Sequence, residues 1–276
     1  MVYWKFLLIW ELYRSVSYRE YKRIERENAM IQNYKLLLAF DGTRYFGWER
    51  QQNTDMTIQG KVETVLEKMV GNTVELIGCG RTDAGVHAKG LVANVKLDTE
   101  LTTEEICTYL NHYLPEDICV LEVSVAAERF HSRYNATGKT YCYTCYIGKN
   151  KPVFDRKYVY VVEQTLNLEK MRKAAEYLTG EHDFASFCAN KKMKKSTVRI
   201  VDSIEITQKG GYLYLSFHGN GFLHHMVRIL VGTLLEVGMG KRTPESMTAL
   251  LEAKNRAQAG VTAPAQGLCL MKVDYQ

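Results

Sequence analysis

Between residues 34 and 273 the chain reads as an α+β protein of two related ferredoxin-like (split β-α-β) units. Three observations predict this. The order strand, helix, strand, strand, helix, strand occurs once from residue 34 to 125 and again from 139 to 273. Apolar residues run together or alternate where strands are expected, and recur at helical spacing between them. Helix starts carry capping residues, Thr102 with Glu105 and Asn167. Each sheet is expected to be antiparallel. Side by side they would form one long sheet, with helices mainly on one face and a cleft between the halves. Periodicity alone does not require that joining.

The first unit opens on an apolar strand over 34–40. Ile58, Val62, Val65, Leu66 and Met69 then fall on one helical face. Residues 73–79 and 91–97 are rich in β-branched and apolar side chains and read as strands. Thr102 and Glu105 form a capping box before a helix bearing Ile106, Tyr109, Leu110 and Tyr113, and 118–125 closes the unit as a strand. The second unit starts with a strand over 139–147. Asn167 caps a helix with Met171, Ala174, Ala175 and Leu178, and a hairpin over 201–218 turns at Lys209-Gly210-Gly211. A long apolar helix over 222–237 follows. Thr243 and Pro244 then start another helix, carrying Met247, Leu250 and Leu251. A strand over 268–273 ends the pattern. The domains are set at 33–134 and 135–276, after an N-terminal extension over 1–32.

That extension stands apart. Its apolar run, 6–10, is too short to span a bilayer and lacks a small-residue cleavage site behind it. It reads as an accessory segment or as a start placed upstream of the true one. Residues 1–30 hold +2 of the net charge of +5. A polyanion-binding surface must therefore come from local clustering, such as Lys191, Lys192, Lys194 and Lys195. The 7 cysteines read as reduced cytoplasmic thiols. Cys142 and Cys145 match C-x-x-C but lie three apart on an expected strand, facing opposite sides, which argues against metal or redox chemistry.

Three features carry chemistry. The segment Gly78-Cys79-Gly80-Arg81-Thr82-Asp83-Ala84-Gly85-Val86-His87 joins two strands through a glycine-rich loop that another molecule can approach closely. By itself it also fits a polar hairpin with an Asx-turn at Asp83. Arg228 lies in an apolar helix, so it should be buried and needs an anionic partner; Asp83 is the functional choice, any other carboxylate the structural one. A guanidinium there would fix the direction of the Asp83 carboxylate and favour its charged form. In residues 130–143, basic and aromatic side chains interleave, as suits base stacking and phosphate contacts, although Tyr141 and Tyr143 also fit a core strand. His224 and His225, neighbours on the expected helix, would point about 100° apart, so no metal site is read from them.

With these residues the chain resembles the tRNA pseudouridine synthase A family from residue 34 to 275. The matching pieces are Phe40-Asp41-Gly42-Thr43, Phe46-Gly47-Trp48, the loop from Gly80 to His87, and Phe130-His131-Ser132-Arg133. They continue through Lys139-Thr140-Tyr141, His182-Asp183-Phe184, Ser186-Phe187, His224-His225-Met226-Val227-Arg228 and Ala265-Gln266-Gly267-Leu268. The resemblance implies a cofactor-free homodimer that isomerises uridine to pseudouridine at positions 38 to 40 of the tRNA anticodon stem-loop. It puts the catalytic aspartate on Asp83, the uracil-contacting tyrosine on Tyr141 and the aspartate-pairing arginine on Arg228. Arg81 matches a basic residue near the active site. Glu49 stands where members commonly have glutamine, and the extension has no counterpart.

The implied reaction breaks an N-glycosidic bond, turns the uracil and rejoins it through C5, with no net redox change. A carboxylate can divide that path by covalent catalysis, and the base must leave its stack to reach it. Tyr141 could stack on the uracil and help remove the C5 proton. Whether Asp83 attacks C1′, adds to the ring or abstracts a sugar proton is left open by the sequence. Two other classes compete with this reading. A non-catalytic RNA-binding module has no use for an aspartate held by a buried arginine, and a thiol or metal enzyme is opposed by the strand geometry of Cys142 and Cys145.

Overall fold

The computed structural model describes residues 31–190 and 193–276. The expectations for residues 1–30, and those for Lys191 and Lys192, lie outside the described residues. The first half contains β1 (Gln32–Phe40), α1 (Ile58–Val70), β2 (Ile77–Gly78), β3 (His87–Leu97), α2 (Thr103–Tyr113) and β4 (Ile118–Val125). The second contains β5 (Ala136–Tyr146), β6 (Tyr160–Val161), α3 (Leu168–Glu176), β7 (Gly180–Asp183) and β8 (Val198–Lys209). It ends with β9 (Tyr212–Gly219), α4 (Met226–Gly238), α5 (Ser246–Ala253) and β10 (Leu268–Tyr275).

All these strands join one sheet in the order β4-β1-β3-β10-β5-β9-β8-β7, with β2 beside β3 and β6 beside β5. With β6 and β7 set aside, each half places its four remaining strands in the same order, last, first, third, second: β4-β1-β3-β2, then β10-β5-β9-β8. The main ladders inside each half are antiparallel. The halves meet where β10 runs parallel to β3, with Cys269 opposite His87 and Leu270 opposite Ala88. The joined sheet is therefore mixed, with the expected antiparallel ladders inside each half and a parallel one at the junction. β6 is also parallel to β5.

The expected periodicities explain the burial. On β1, Tyr34, Leu36, Leu38 and Phe40 are buried, and they share a core with Ile58, Val62 and Leu66 of α1 and Ile106 and Leu110 of α2. On β9, Leu213, Leu215 and Phe217 share the second core with Met171 and Ala174 of α3 and Ile229 and Leu230 of α4. The helices thus cover the face that these alternate residues present. The two cores exchange residues at the junction. Val86, from the first half, packs in the second core, whereas Leu270 and Val273 of β10 pack in the first.

Both capping signals are realised. Thr102 and Glu105 form the reciprocal capping box, and the Asn167 side chain accepts from the Lys170 N–H. Two elements differ from expectation. The strand expected over 73–79 shrinks to β2, because the Leu76 backbone is satisfied by helix side chains: its N–H donates to Glu63 Oε1 (3.0 Å), and its carbonyl accepts from Gln59 Nε2 (3.0 Å). The helix expected from 222 begins at Met226, because His225 adopts a left-handed backbone (φ +61°) that cannot continue a right-handed helix. In α5, Thr243 and Pro244 form a turn ahead of the first helical residue, with their carbonyls accepting from Ser246 and Met247.

Leu270 is buried in the first core although it belongs to the last strand of the second half. Leu270→Ala should lower unfolding free energy by about 2–5 kcal/mol, read as a lower urea midpoint at unchanged slope.

Candidate active site

The loop between β2 and β3 carries Arg81, Thr82 and Asp83, and its shape is set by residues 45–48. The Trp48 N–H donates to the Thr82 carbonyl (3.1 Å), and the Gly85 N–H donates to the Tyr45 carbonyl (3.2 Å). Tyr45 and Trp48 are buried beneath it. Gly47 has φ +97°, and a Cβ there would come within 2.6 Å of the Thr82 carbonyl oxygen. Only glycine lets the two backbones approach so closely. The loop closes with the Val86 N–H donating to the Asp83 carbonyl (3.1 Å). The Asp83 side chain faces the second half of the chain instead of capping its own turn.

There it meets Arg228. Nη1 donates to Asp83 Oδ2 at 3.0 Å, with the side chains 14% and 24% exposed respectively. Arg228 is held at its other end by Nε donating to the Ala263 carbonyl (2.8 Å). The pairing expected from an arginine in an apolar helix is therefore present. The guanidinium has two fixed contacts and offers a rigid donor to one carboxylate oxygen.

The two histidines also reach Asp83. His225 Nε2 lies 3.4 Å from Oδ2 and His224 Nε2 lies 3.9 Å from Oδ1. They precede α4 instead of riding on it, and their ring centroids are 3.9 Å apart, so the helical argument for diverging rings does not apply. One donor atom from each of Asp83, His224 and His225 falls within 4.8 Å of the others, a set that could hold a cation, against the charge of Arg228. Burial pushes the His225 imidazole below its usual range, partly opposed by the Asp83 charge, so the ring is neutral near neutral pH.

Tyr141 lies on β5 with its ring edge-on to Phe222, centroids 5.3 Å apart. Burial raises its phenol well above the ordinary value, reinforced by negative groups that include Asp83. Asp83, Tyr141 and Phe222 line one cleft of about 700 Å³ with Arg81, Arg133, Lys139, Lys195 and Arg199. Asp83 is its one carboxylate among the described residues. Arg81 reaches out of the cleft to Glu49 (2.6 Å). Tyr134 is 76% exposed, its ring tilted against that of His131 with centroids 4.2 Å apart, while Ser132 is buried, with Oγ donating to the Ile77 carbonyl (2.5 Å). Cys145 is buried in the core and Cys142 lines a different cavity.

A family model described as tRNA pseudouridine synthase matches residues 37–135 and 174–276. The chain belongs to the tRNA pseudouridine synthase family. Asp83 and Arg228 fall inside the matched stretches and Tyr141 between them. The chain is 49% identical over 245 residues to tRNA pseudouridine synthase A of Bacillus sp. (strain KSM-64), covering 89% of this chain and 100% of the relative. It is 46% identical, over the same shares, to tRNA pseudouridine synthase A 2 of Bacillus anthracis and to tRNA pseudouridine synthase A 1 of Clostridium tetani. In this tRNA pseudouridine synthase, no helix among the described residues is long and apolar enough to cross a membrane. Family motifs beside the cleft gain a structural account. The His87 ring accepts from the Gly42 N–H at Nδ1 (3.0 Å) and therefore donates from Nε2 to the Gln266 carbonyl (3.2 Å). This ties Asp41-Gly42 to Ala265-Gln266-Gly267. His224, His225 and Phe222 also face this cleft, although the sequence reading assigned them no role, and Lys139 comes from the basic and aromatic stretch 130–143. For the two histidines the only early signal was membership of a matching motif, and for Phe222 it was the start of an apolar helical run.

Burial also lowers the His87 imidazole below its usual range, against the pull of Asp41. A depressed histidine takes up a proton in the unfolded chain before it does in the folded one, so stability falls as pH drops below about 6.5 and levels off below the folded value. Urea unfolding between pH 7 and 5 should show that loss, and His87→Gln should flatten it.

Proposed function

We propose that the enzyme isomerises uridine to pseudouridine at positions 38–40 of the tRNA anticodon stem-loop, with Asp83 as the catalytic carboxylate. The observation that carries this reading is a single carboxylate in a basic, aromatic cleft, gripped by a two-point-anchored arginine. The net reaction breaks the N1–C1′ bond, forms C5–C1′, removes the C5 proton and places a proton on N1. Attack at C1′, addition to the uracil ring and abstraction of a sugar proton each require a carboxylate held in direction, and Arg228 fixes that direction. The raised phenol of Tyr141 makes it a stacking surface and hydrogen-bond donor instead of a base. Removal of the C5 proton then falls to Asp83 or to the neutral imidazole of His225. Arg81 is read as a substrate-binding residue that exchanges Glu49 for RNA.

The chain is read as an extension over 1–32 and domains over 33–134 and 135–276, the first supplying Asp83 and the second Tyr141 and Arg228. The reaction needs no cofactor, and the tRNA substrate together with the unpaired thiols favours a cytoplasmic site of action. A homodimer is inferred because one cleft must reach an anticodon base while the rest of a large RNA is held at a distance. A two-fold partner doubles the basic surface.

Pseudouridine mapping on tRNA treated with purified protein tests the chemistry. Asp83→Asn should form none while still binding tRNA. Arg228→Met should lose on the order of 10²-fold in turnover, and Arg228→Lys should recover only part of it, since lysine lacks the planar fork. Full activity in Asp83→Asn would sink the assignment. Sedimentation at micromolar concentration should report about twice the 31.7 kDa chain mass. A fully active monomer would end the dimer reading alone.

A further inference from the structure

Lys139 is a half-buried ammonium that donates to a neutral acceptor, the Cys79 carbonyl at 2.8 Å. Burial lowers its affinity for the proton, and the charges of Arg133 and Arg199 add to that effect. The Arg199 guanidinium donates to the Ser196 and Val198 carbonyls (2.9 and 2.6 Å), which are neutral as well. Among the described residues, no carboxylate forms an ion pair with Lys139, Arg133 or Arg199, and all three line the cleft. The exposed Arg133 and the half-buried Lys139 and Arg199 thus share one wall of the cleft with no carboxylate paired to them among the described residues, an arrangement that an arriving anion would relieve. The loop leaves room for this arrangement, because a Cβ on Gly80 would sit 2.8 Å from the Lys139 ammonium.

The position identifies the anion. Lys139 and Tyr141 are two residues apart on β5 and both line the cleft, so they follow one another along it by about 6.5 Å. A uracil stacked on Tyr141 keeps its own ribose phosphate within reach of that neighbouring position. We propose that Lys139, flanked by Arg133 and Arg199, is the seat for the backbone phosphate adjoining the target uridine. The proposal rests on the reading of the cleft as the uridine site. The seat anchors the strand beside the base that is turned, so the detached uracil rotates against a fixed backbone. It also couples RNA to chemistry, because the same ammonium holds the Cys79 carbonyl at the root of the Asp83 loop.

The test uses anticodon stem-loop RNAs that each carry one uncharged methylphosphonate linkage near the modified uridine, with KM and kcat measured for the wild type and Lys139→Met. In the wild type, one linkage should raise KM about tenfold, the worth of a charge-assisted contact. Lys139→Met should raise KM about tenfold on the all-phosphate RNA and lose nothing further on that linkage. The slope of log affinity against log salt should become shallower by about 1. Penalties that multiply instead of merging would overturn the proposal. So would a variant with reduced kcat but unchanged KM and salt slope, which would leave Lys139 as a pin for the loop and nothing more. If Lys139→Met does not fold, Arg199→Gln runs the same cycle against the same linkage, and additive penalties there also count against the seat. Failure of the wild type to form any pseudouridine on all-phosphate RNA would overturn the cleft reading itself, and is scored before any variant.

Discussion

The short parallel ladder between β3 and β10 is the constraint on which the site depends. It binds the halves through His87 and Ala88 against Cys269 and Leu270, only four residues beyond Asp83. Because Val86 packs into one core while Leu270 and Val273 pack into the other, the halves cannot slide along this seam without opening both. Register is thereby passed directly to the Asp83 loop. A one-residue slip would turn the inward side chains of β10 outward and carry the Asp83 loop away from Arg228.

The seam brings together groups that would be poor neighbours alone. An arginine in an apolar helix and an aspartate in a buried-backed loop each carry a desolvation cost, and their contact at 3.0 Å offsets it. The pair leaves the second carboxylate oxygen facing the cleft, with His224 3.9 Å away. The Tyr45-to-Trp48 segment stiffens the loop from behind, so the carboxylate is positioned from both sides. Such fixed placement is what lets a charged group act without reorganising during reaction.

Where the determinants are local, the sequence can be read. The alternation of β1 and the Thr102–Glu105 box are written within a few residues, and both form as expected. The Asp83–Arg228 pair is legible for another reason, since an apolar helix makes any arginine within it a demand for an anion. Long-range details are not legible. Leu76 reads as a strand residue, yet the partners of its backbone are side chains of α1. His225 reads as helical, yet its left-handed backbone ends the apolar run early and swings two imidazoles toward Asp83. Lys139 reads as one more basic residue, because its enclosure depends on Gly80, far away in sequence.

The place of β10 has a consequence for biosynthesis. It is the last element in chain order, yet it lies in the middle of the sheet, between β3 and β5. A nascent chain in which residues 268–275 have not yet docked holds an open edge on each half, at β3 and at β5. Such edges invite pairing with other strands. The sheet is therefore completed from its margins inward, and the seam that sets Asp83 against Arg228 is the part that waits for the last strand.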